Sequence, residues 1–276
     1  TILQMLVNGK SQDTVAIMDR GFQYGDGVFE TIEIQQSKPL FLAEHLARLV
    51  LGCQRLSIPV PNAALLREEI AQLCCNAGDA VLKIIITRGE GGRGYRQPNC
   101  IQPTRILSLH PFPSYPESYY TLGITARICE TRLGINPALA GIKHLNRLEQ
   151  VIARSEWNND TCQEGVMLDS EQHVIEGTMT NLFYAKNGIL HTAPVINCGI
   201  AGIIRAWIMT QYSVTERHFS METLLQADEI FVCNSIVGIW GVCKLANHQY
   251  GIGEMTQTLQ HALMCEKQKQ VAYENF

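Results

Sequence analysis

The chain has 276 residues, 46% of them apolar and 17% charged, which excludes a disordered or fibrous protein and leaves room for two lobes with sizeable cores. A net charge of −4 with scattered basic residues argues against a nucleic-acid or anionic-membrane surface and favours small-molecule chemistry. Ten cysteines without CxxC spacing read as buried, reduced thiols rather than a disulfide framework or metal site. With no leader-like start and no run of 18 apolar residues, a cytoplasmic protein is expected.

In chain order, residues 2–7 read as a strand, Asn8-Gly9 as a tight hairpin turn, and residues 14–18 as the returning strand. Residues 28–34 alternate as a third strand. A helix over 43–56 follows, with Leu46, Leu49, Val50 and Cys53 at helical spacing. Asn62 caps a second helix to about residue 76, and strands follow at 81–87, 105–109 and 121–128. Pro111, Pro113 and Pro116 break regular structure. The division is therefore set at residue 118, between a small N-terminal α+β domain (1–117) and a larger C-terminal domain (118–276). In the latter, 146–157 predicts a helix with Leu148, Val151 and Ile152 on one face, and short strands over 165–192 predict a barrel-like sheet. A helix at 202–212, strands at 229–233 and 238–243, and a terminal helix at 255–270 complete an α+β chain.

Several residues suit chemistry, each beside a blander alternative. Lys143 stands among small and apolar neighbours just ahead of a helix. Partial desolvation favours the neutral amine that condenses with an aldehyde, although on position alone a snorkelling surface lysine is the commoner case. Glu176 enters the polar turn after a strand. A carboxylate there suits a pyridine nitrogen, which its charge keeps protonated, or is simply a solvated turn residue. Gly202-Ile203-Ile204-Arg205 opens a helix whose first amides suit a phosphate, as does any strand-to-helix turn of like composition. Arg48 can add a two-pronged hydrogen bond to the same phosphate, or pair with Glu44 along its helix. The loop from Arg88 to Tyr95, with Arg93 and four glycines, suits carboxylate recognition or is a flexible hairpin tip.

The run Asp19-Arg20-Gly21-Phe22-Gln23-Tyr24-Gly25-Asp26-Gly27-Val28-Phe29-Glu30-Thr31 resembles the early signature of class-IV aminotransferase-like enzymes. His45-Leu46-Ala47-Arg48-Leu49, the lysine segment, Glu176 to Phe183 and Gly202 to Arg205 follow in the same order, so the resemblance spans nearly the whole chain. Within that family, Gly91-Gly92-Arg93-Gly94-Tyr95 and the segment from Arg132 to Gln150 resemble the bacterial aminodeoxychorismate lyase branch. Branched-chain transaminases usually carry a tyrosine shortly after the lysine, where this chain has Arg147, Leu148 and Glu149.

The resemblance implies a two-lobed class-IV (D-amino acid aminotransferase-like) fold, with a small α/β lobe, a larger barrel-like β lobe and flanking helices. It implies pyridoxal 5'-phosphate held covalently by Lys143, with Glu176 at the ring nitrogen and Arg48, Ile203, Ile204 and Ser235 at the phosphate. Arg93, Tyr95, Arg88 and Arg147 are the implied substrate ligands, and Thr31 a possible catalytic helper. The implied reaction is cleavage of 4-amino-4-deoxychorismate to 4-aminobenzoate and pyruvate, towards folate, by a homodimer acting on a small molecule. The alternatives are a D-amino acid or branched-chain transaminase on the same fold and, from another class, a non-catalytic metabolite-binding protein.

Overall fold

Residues 2–273 are described by the computed structural model. One unit comprises Thr1–Pro113, Ile142–Asn146 and Lys267–Phe276, the other Ser114–Gly141 and Arg147–Glu266. The first holds strands β1 (Gln4–Val7), β2 (Gly27–Gln35), β3 (Lys38–Pro39), β4 (Ala80–Thr87) and β5 (Thr104–Pro111), in the antiparallel order β1-β5-β4-β2-β3. Helices α1 (Arg20–Tyr24), α2 (Leu42–Arg55) and α3 (Ala63–Cys74) belong to the same unit. Leu46, Leu49 and Cys53 of α2, and Leu66, Ile70 and Leu73 of α3, recur at helical spacing and are buried in one core with Val28, Ile32, Leu82, Ile84 and Leu107. Each such side chain contributes about 1.5–3 kcal/mol on burial. As expected, the Asn62 side chain caps α3 by accepting from Leu65 N at 3.0 Å.

One expectation fails here. Asn8 and Gly9 do take positive φ (49° and 78°) and close the Val7–Lys10 bridge, but no strand forms at 14–18, where Val15, Ile17 and Met18 are exposed. β1 instead pairs with β5, and a second strand on its other edge would have no core to cover. The short helix α1 was not anticipated; Asp19 starts it by accepting from Gly21 N at 2.7 Å.

The second unit holds β6 (Ile124–Leu133), β7 (Glu164–Asp169), β8 (Val174–Gly177), β9 (Asn181–Lys186), β10 (Ile189–Thr192), β11 (Val214–Glu216), β12 (Glu229–Asn234), β13 (Gly238–Leu245) and β14 (His248–Gln249). Their order is β11-β10-β9-β12-β13-β6-β7-β8, and the additional β8–β9 pairing closes six of them into a ring. The barrel-like sheet is thus a closed barrel, with β6 parallel to both its neighbours. Leu133, Val166, Leu168, Leu182, Val232 and Trp240 fill one core. Helices α4 (Ser118–Thr121), α5 (Leu148–Arg154), α6 (Ile203–Gln211), α7 (Met221–Leu225) and α8 (Glu254–Ala272) complete the chain. No helix among the described residues is long and apolar enough to cross a membrane, and the ten cysteines are free.

Helix α5 departs from its sequence pattern. Leu148, Val151 and Ile152 are 73%, 60% and 55% exposed, and the buried residue is Ala153. The expected division at 118 also changes, because residues 142–146, with Lys143, group with the N-terminal unit. Backbone bonds are the reason: Phe29 N donates to Lys143 O (2.9 Å) and Leu145 N to Gly27 O (3.0 Å), adding this segment to β2.

Candidate active site

In the first unit the site begins with two glycines of the early motif. Gly25 lies at φ 65°, and a Cβ there would meet Asn146 Oδ1 at 2.7 Å; a Cβ on Gly27 would meet Leu145 Cδ1 at 2.8 Å as well as Ile86 O of β4 at 2.5 Å. Only glycine lets the 143–146 segment come this close to β2. Lys143 Nζ lies 4.3 Å from the centroid of the Phe29 ring, and Lys83 Nζ lies 5.4 Å from the same centroid. Thr31 falls on the same face of β2 as Phe29 by strand alternation, half-buried.

Glu30, on the opposite face, is 1% exposed and receives three donors. Arg48 forks onto it (Nε to Oε1 2.8 Å, Nη2 to Oε2 2.6 Å), and His45 Nδ1 lies 2.6 Å from Oε2. Burial alone would raise the Glu30 carboxyl, but Arg48, aided by His45, holds it below the ordinary range. Burial pushes the His45 imidazole down despite Glu30, so it is neutral near pH 7. Neither Glu30 nor His45 was singled out from the sequence; their positions inside the two matched motifs were the available signal.

Asp26 organises the glycine-rich loop. It accepts from Arg20 Nε (3.0 Å) and from Arg88 Nε and Nη2 (2.7 and 2.9 Å), while Arg20 also holds Gly94 O (2.9 Å) and Tyr95 O (3.2 Å). Arg88 is 4% exposed and gives its remaining donors to Ser57 O and Leu56 O. Its expected substrate role is therefore corrected: Arg88 holds the loop base. Arg93 and Tyr95 stay exposed, with the Tyr95 ring 5.4 Å from that of Tyr24.

In the second unit Glu176 sits on β8, 3% exposed, where its pairing with Asn181 closes the barrel. Its Oε2 accepts from Ile200 N at 2.9 Å and Asn181 Nδ2 at 3.4 Å. Asn181 Nδ2 also donates to Ile200 O at 2.9 Å. A Cβ on Gly202 would lie 2.0 Å from Asn181 Oδ1, so this approach requires glycine. Gly202 starts α6 without a side-chain cap, leaving the amides around Ile203 and Ile204 to an anion. Arg147 precedes α5; burial lowers its pKa while the charges of Glu176 and Glu149 oppose that shift. Ser235 lies in the β12–β13 turn, which Asn234 Oδ1 shapes by accepting from Ile236 N and Val237 N, both at 2.8 Å. Glu164, missed from the sequence, is fully buried and accepts from Thr178 N (2.9 Å) and Thr180 Oγ1 (2.7 Å), fixing the turn after Glu176.

The first unit offers an amine beside an aromatic ring, and the second a buried carboxylate and an uncapped helix start; each is a kind of group that suits a phosphorylated pyridine aldehyde. The model of the class IV amino-transferase family matches residues 27–245. The chain belongs to that family, which works with pyridoxal phosphate. It is 36% identical to the aminodeoxychorismate lyase of Vibrio harveyi over 92% of this chain and 97% of that protein. The crystal structure of 4-amino-4-deoxychorismate lyase from Pseudomonas aeruginosa superposes with a TM-score of 0.91 at 43% identity, covering 95% of this chain and 98% of that one. The branched-chain amino acid aminotransferase of Escherichia coli gives 0.83 at 25% identity, over 96% and 94%. The family thus includes lyases and transaminases, and the chain lies nearer the lyases among these three.

Proposed function

We propose that this protein is a pyridoxal-phosphate-dependent lyase that converts 4-amino-4-deoxychorismate to 4-aminobenzoate and pyruvate, a step towards folate. The observation that carries this reading is its 43% identity to a 4-amino-4-deoxychorismate lyase over 95% of the chain. Lys143 would hold the cofactor through its amine, Glu176 would keep the pyridine nitrogen protonated, and the amides at Ile203 and Ile204, with Arg48 and Ser235, would take the phosphate. When bound, the cofactor supplies an electron sink for the carbon beside the substrate nitrogen.

Lys143 Nζ would serve as the base that takes the proton from the ring carbon bearing the substrate nitrogen. The same amine would return that proton to the departing enolpyruvyl oxygen, with aromatisation of the ring as the driving force. Thr31, half-buried on the Phe29 face of β2, would be a helping hydroxyl. Arg93, Tyr95 and Arg147 would receive the substrate's carboxylates and hydroxyl. A cytoplasmic homodimer completes the reading, supported by the exposed apolar side of α5, which suits a second copy.

The similarity to a branched-chain aminotransferase favours a transaminase as the second reading. Product analysis separates them. The full chain with pyridoxal phosphate is expected to release pyruvate and 4-aminobenzoate from 4-amino-4-deoxychorismate without a keto acid; turnover that requires a keto-acid acceptor would overturn the lyase reading.

A further inference from the structure

The hairpin that leads into the Glu176 strand carries a cluster that the proposed reaction does not use. Asp169 ends β7, His173 precedes β8, and His218 lies between β11 and α7. One donor atom from each lies within 4.8 Å of the other two. We propose that Asp169, His173 and His218 form a binding site for a divalent ion of the zinc type.

Three observations support it. The Asp169 carboxylate is 1% exposed and already oriented: Oδ1 accepts from Glu171 N and His173 N, both at 2.9 Å, which leaves Oδ2 beside His173 Nδ1 at 3.1 Å. His218 is brought in by backbone pairing, because the neighbouring residues bond across to the hairpin through Val174 N to Phe219 O (3.0 Å) and the His173–Ser220 bridge. Its ring lies 4.4 Å from that of His173, tilted by 31°, and its Nδ1 is buried without a hydrogen-bond partner. A hydrogen bond between His173 and Asp169 accounts for the hairpin by itself but leaves that His218 nitrogen unexplained.

Two imidazoles and one carboxylate are a donor set for zinc, nickel or copper, whereas magnesium and calcium favour oxygen ligands. Zinc bonds of about 2.0–2.2 Å to nitrogen and oxygen require the donors to draw together slightly, which rotation of the two imidazoles allows. Glu171, with Oε2 3.8 Å from His173 Nδ1 and its side chain 66% exposed, can supply a fourth ligand, and water can do so as well. Binding replaces any protons on the ligating atoms with the ion and changes no oxidation state. The bound ion would tie the β7–β8 hairpin, at His173 three residues ahead of Glu176, to the His218 segment.

The test uses the full-length, pyridoxal-phosphate-loaded protein with its cysteines kept reduced, titrated with zinc chloride in equilibrium dialysis and with cobalt(II) followed by absorption. One equivalent of zinc is expected to bind and to raise the thermal midpoint. The affinity should fall at least tenfold in His173→Gln and in His218→Gln, and the cobalt spectrum should show nitrogen and oxygen ligation. Equal zinc affinity in wild type and His173→Gln, a thiolate charge-transfer band, or no stoichiometric binding by wild type would each overturn the site. If His218→Gln does not fold, the partly exposed His173 position decides alone.

Discussion

The two units hold their functional side chains by different physics. In the first, carboxylates gather donors: Glu30 holds the Arg48 guanidinium and the neutral His45 ring behind the strand that carries Phe29, and Asp26 holds Arg20 and Arg88 at the base of the loop. In the second, backbone approach does the work: Glu176 is fixed by the Ile200 amide, and that turn exists because Gly202 has no side chain to strike Asn181. Buried charges are sensitive to pH and to loss of a partner, whereas a close backbone contact is sensitive to added volume.

The largest expected effect tests the lysine of the first unit. Lys143→Ala should lose the cofactor's visible absorbance and essentially all turnover; a coloured, active variant would refute the proposed role. Next comes Glu176→Gln. The amide oxygen can still accept from Ile200 N, so the fold should persist, but an amide cannot keep the pyridine nitrogen protonated, and turnover should fall by about 10²-fold or more. Steady-state kinetics beside a thermal melt separate the two effects.

Glu30→Gln breaks the charged arrangement of the first unit and should cost about 3–5 kcal/mol in denaturant unfolding, as for other buried pairs that lose one partner. The pH dependence follows from the same residues. The folded-state pKa values of His45 and Glu30 both lie below their ordinary 6.5 and 4.5, so the unfolded chain binds more protons. Their contribution is present above those values and is lost as pH falls, first for His45 below 6.5 and then for Glu30 below 4.5. Glu33, whose pKa burial raises, acts in the opposite sense. Thermal midpoints measured from pH 7 to pH 4 should therefore fall less steeply in His45→Gln than in wild type.

Gly202→Ala is the smallest of these changes and tests the second unit. Its methyl must displace the Asn181 side chain, at about 1–3 kcal/mol of stability, with weaker cofactor binding but little added pH dependence. A pH response as steep as that of the Glu30 cluster would erase the contrast between the units.

Much of the fold was legible in local sequence. Helices α2 and α3 and strands β2, β4 and β5 follow from spacing and from the Asn62 cap, since burial of one face imposes periodicity. The apolar residues of α5 misled for the same reason, because periodicity reports an apolar face and not what covers it. The strand expected at 14–18 failed because pairing and a core, not composition, decide whether an extended segment joins a sheet.

The chain's own residues determined the family motifs, the lysine proposed to hold the cofactor and the kinds of groups that could meet a phosphorylated cofactor. Only the tertiary structure decided that the lysine segment adds to β2, that Arg88 is spent on Asp26, and that two histidines from separate segments stack beside one aspartate. Motifs are local, and so are visible in sequence order. Hydrogen-bond partners and ligand sets are chosen by sheet closure and chain crossing, which bring together residues that no local pattern connects.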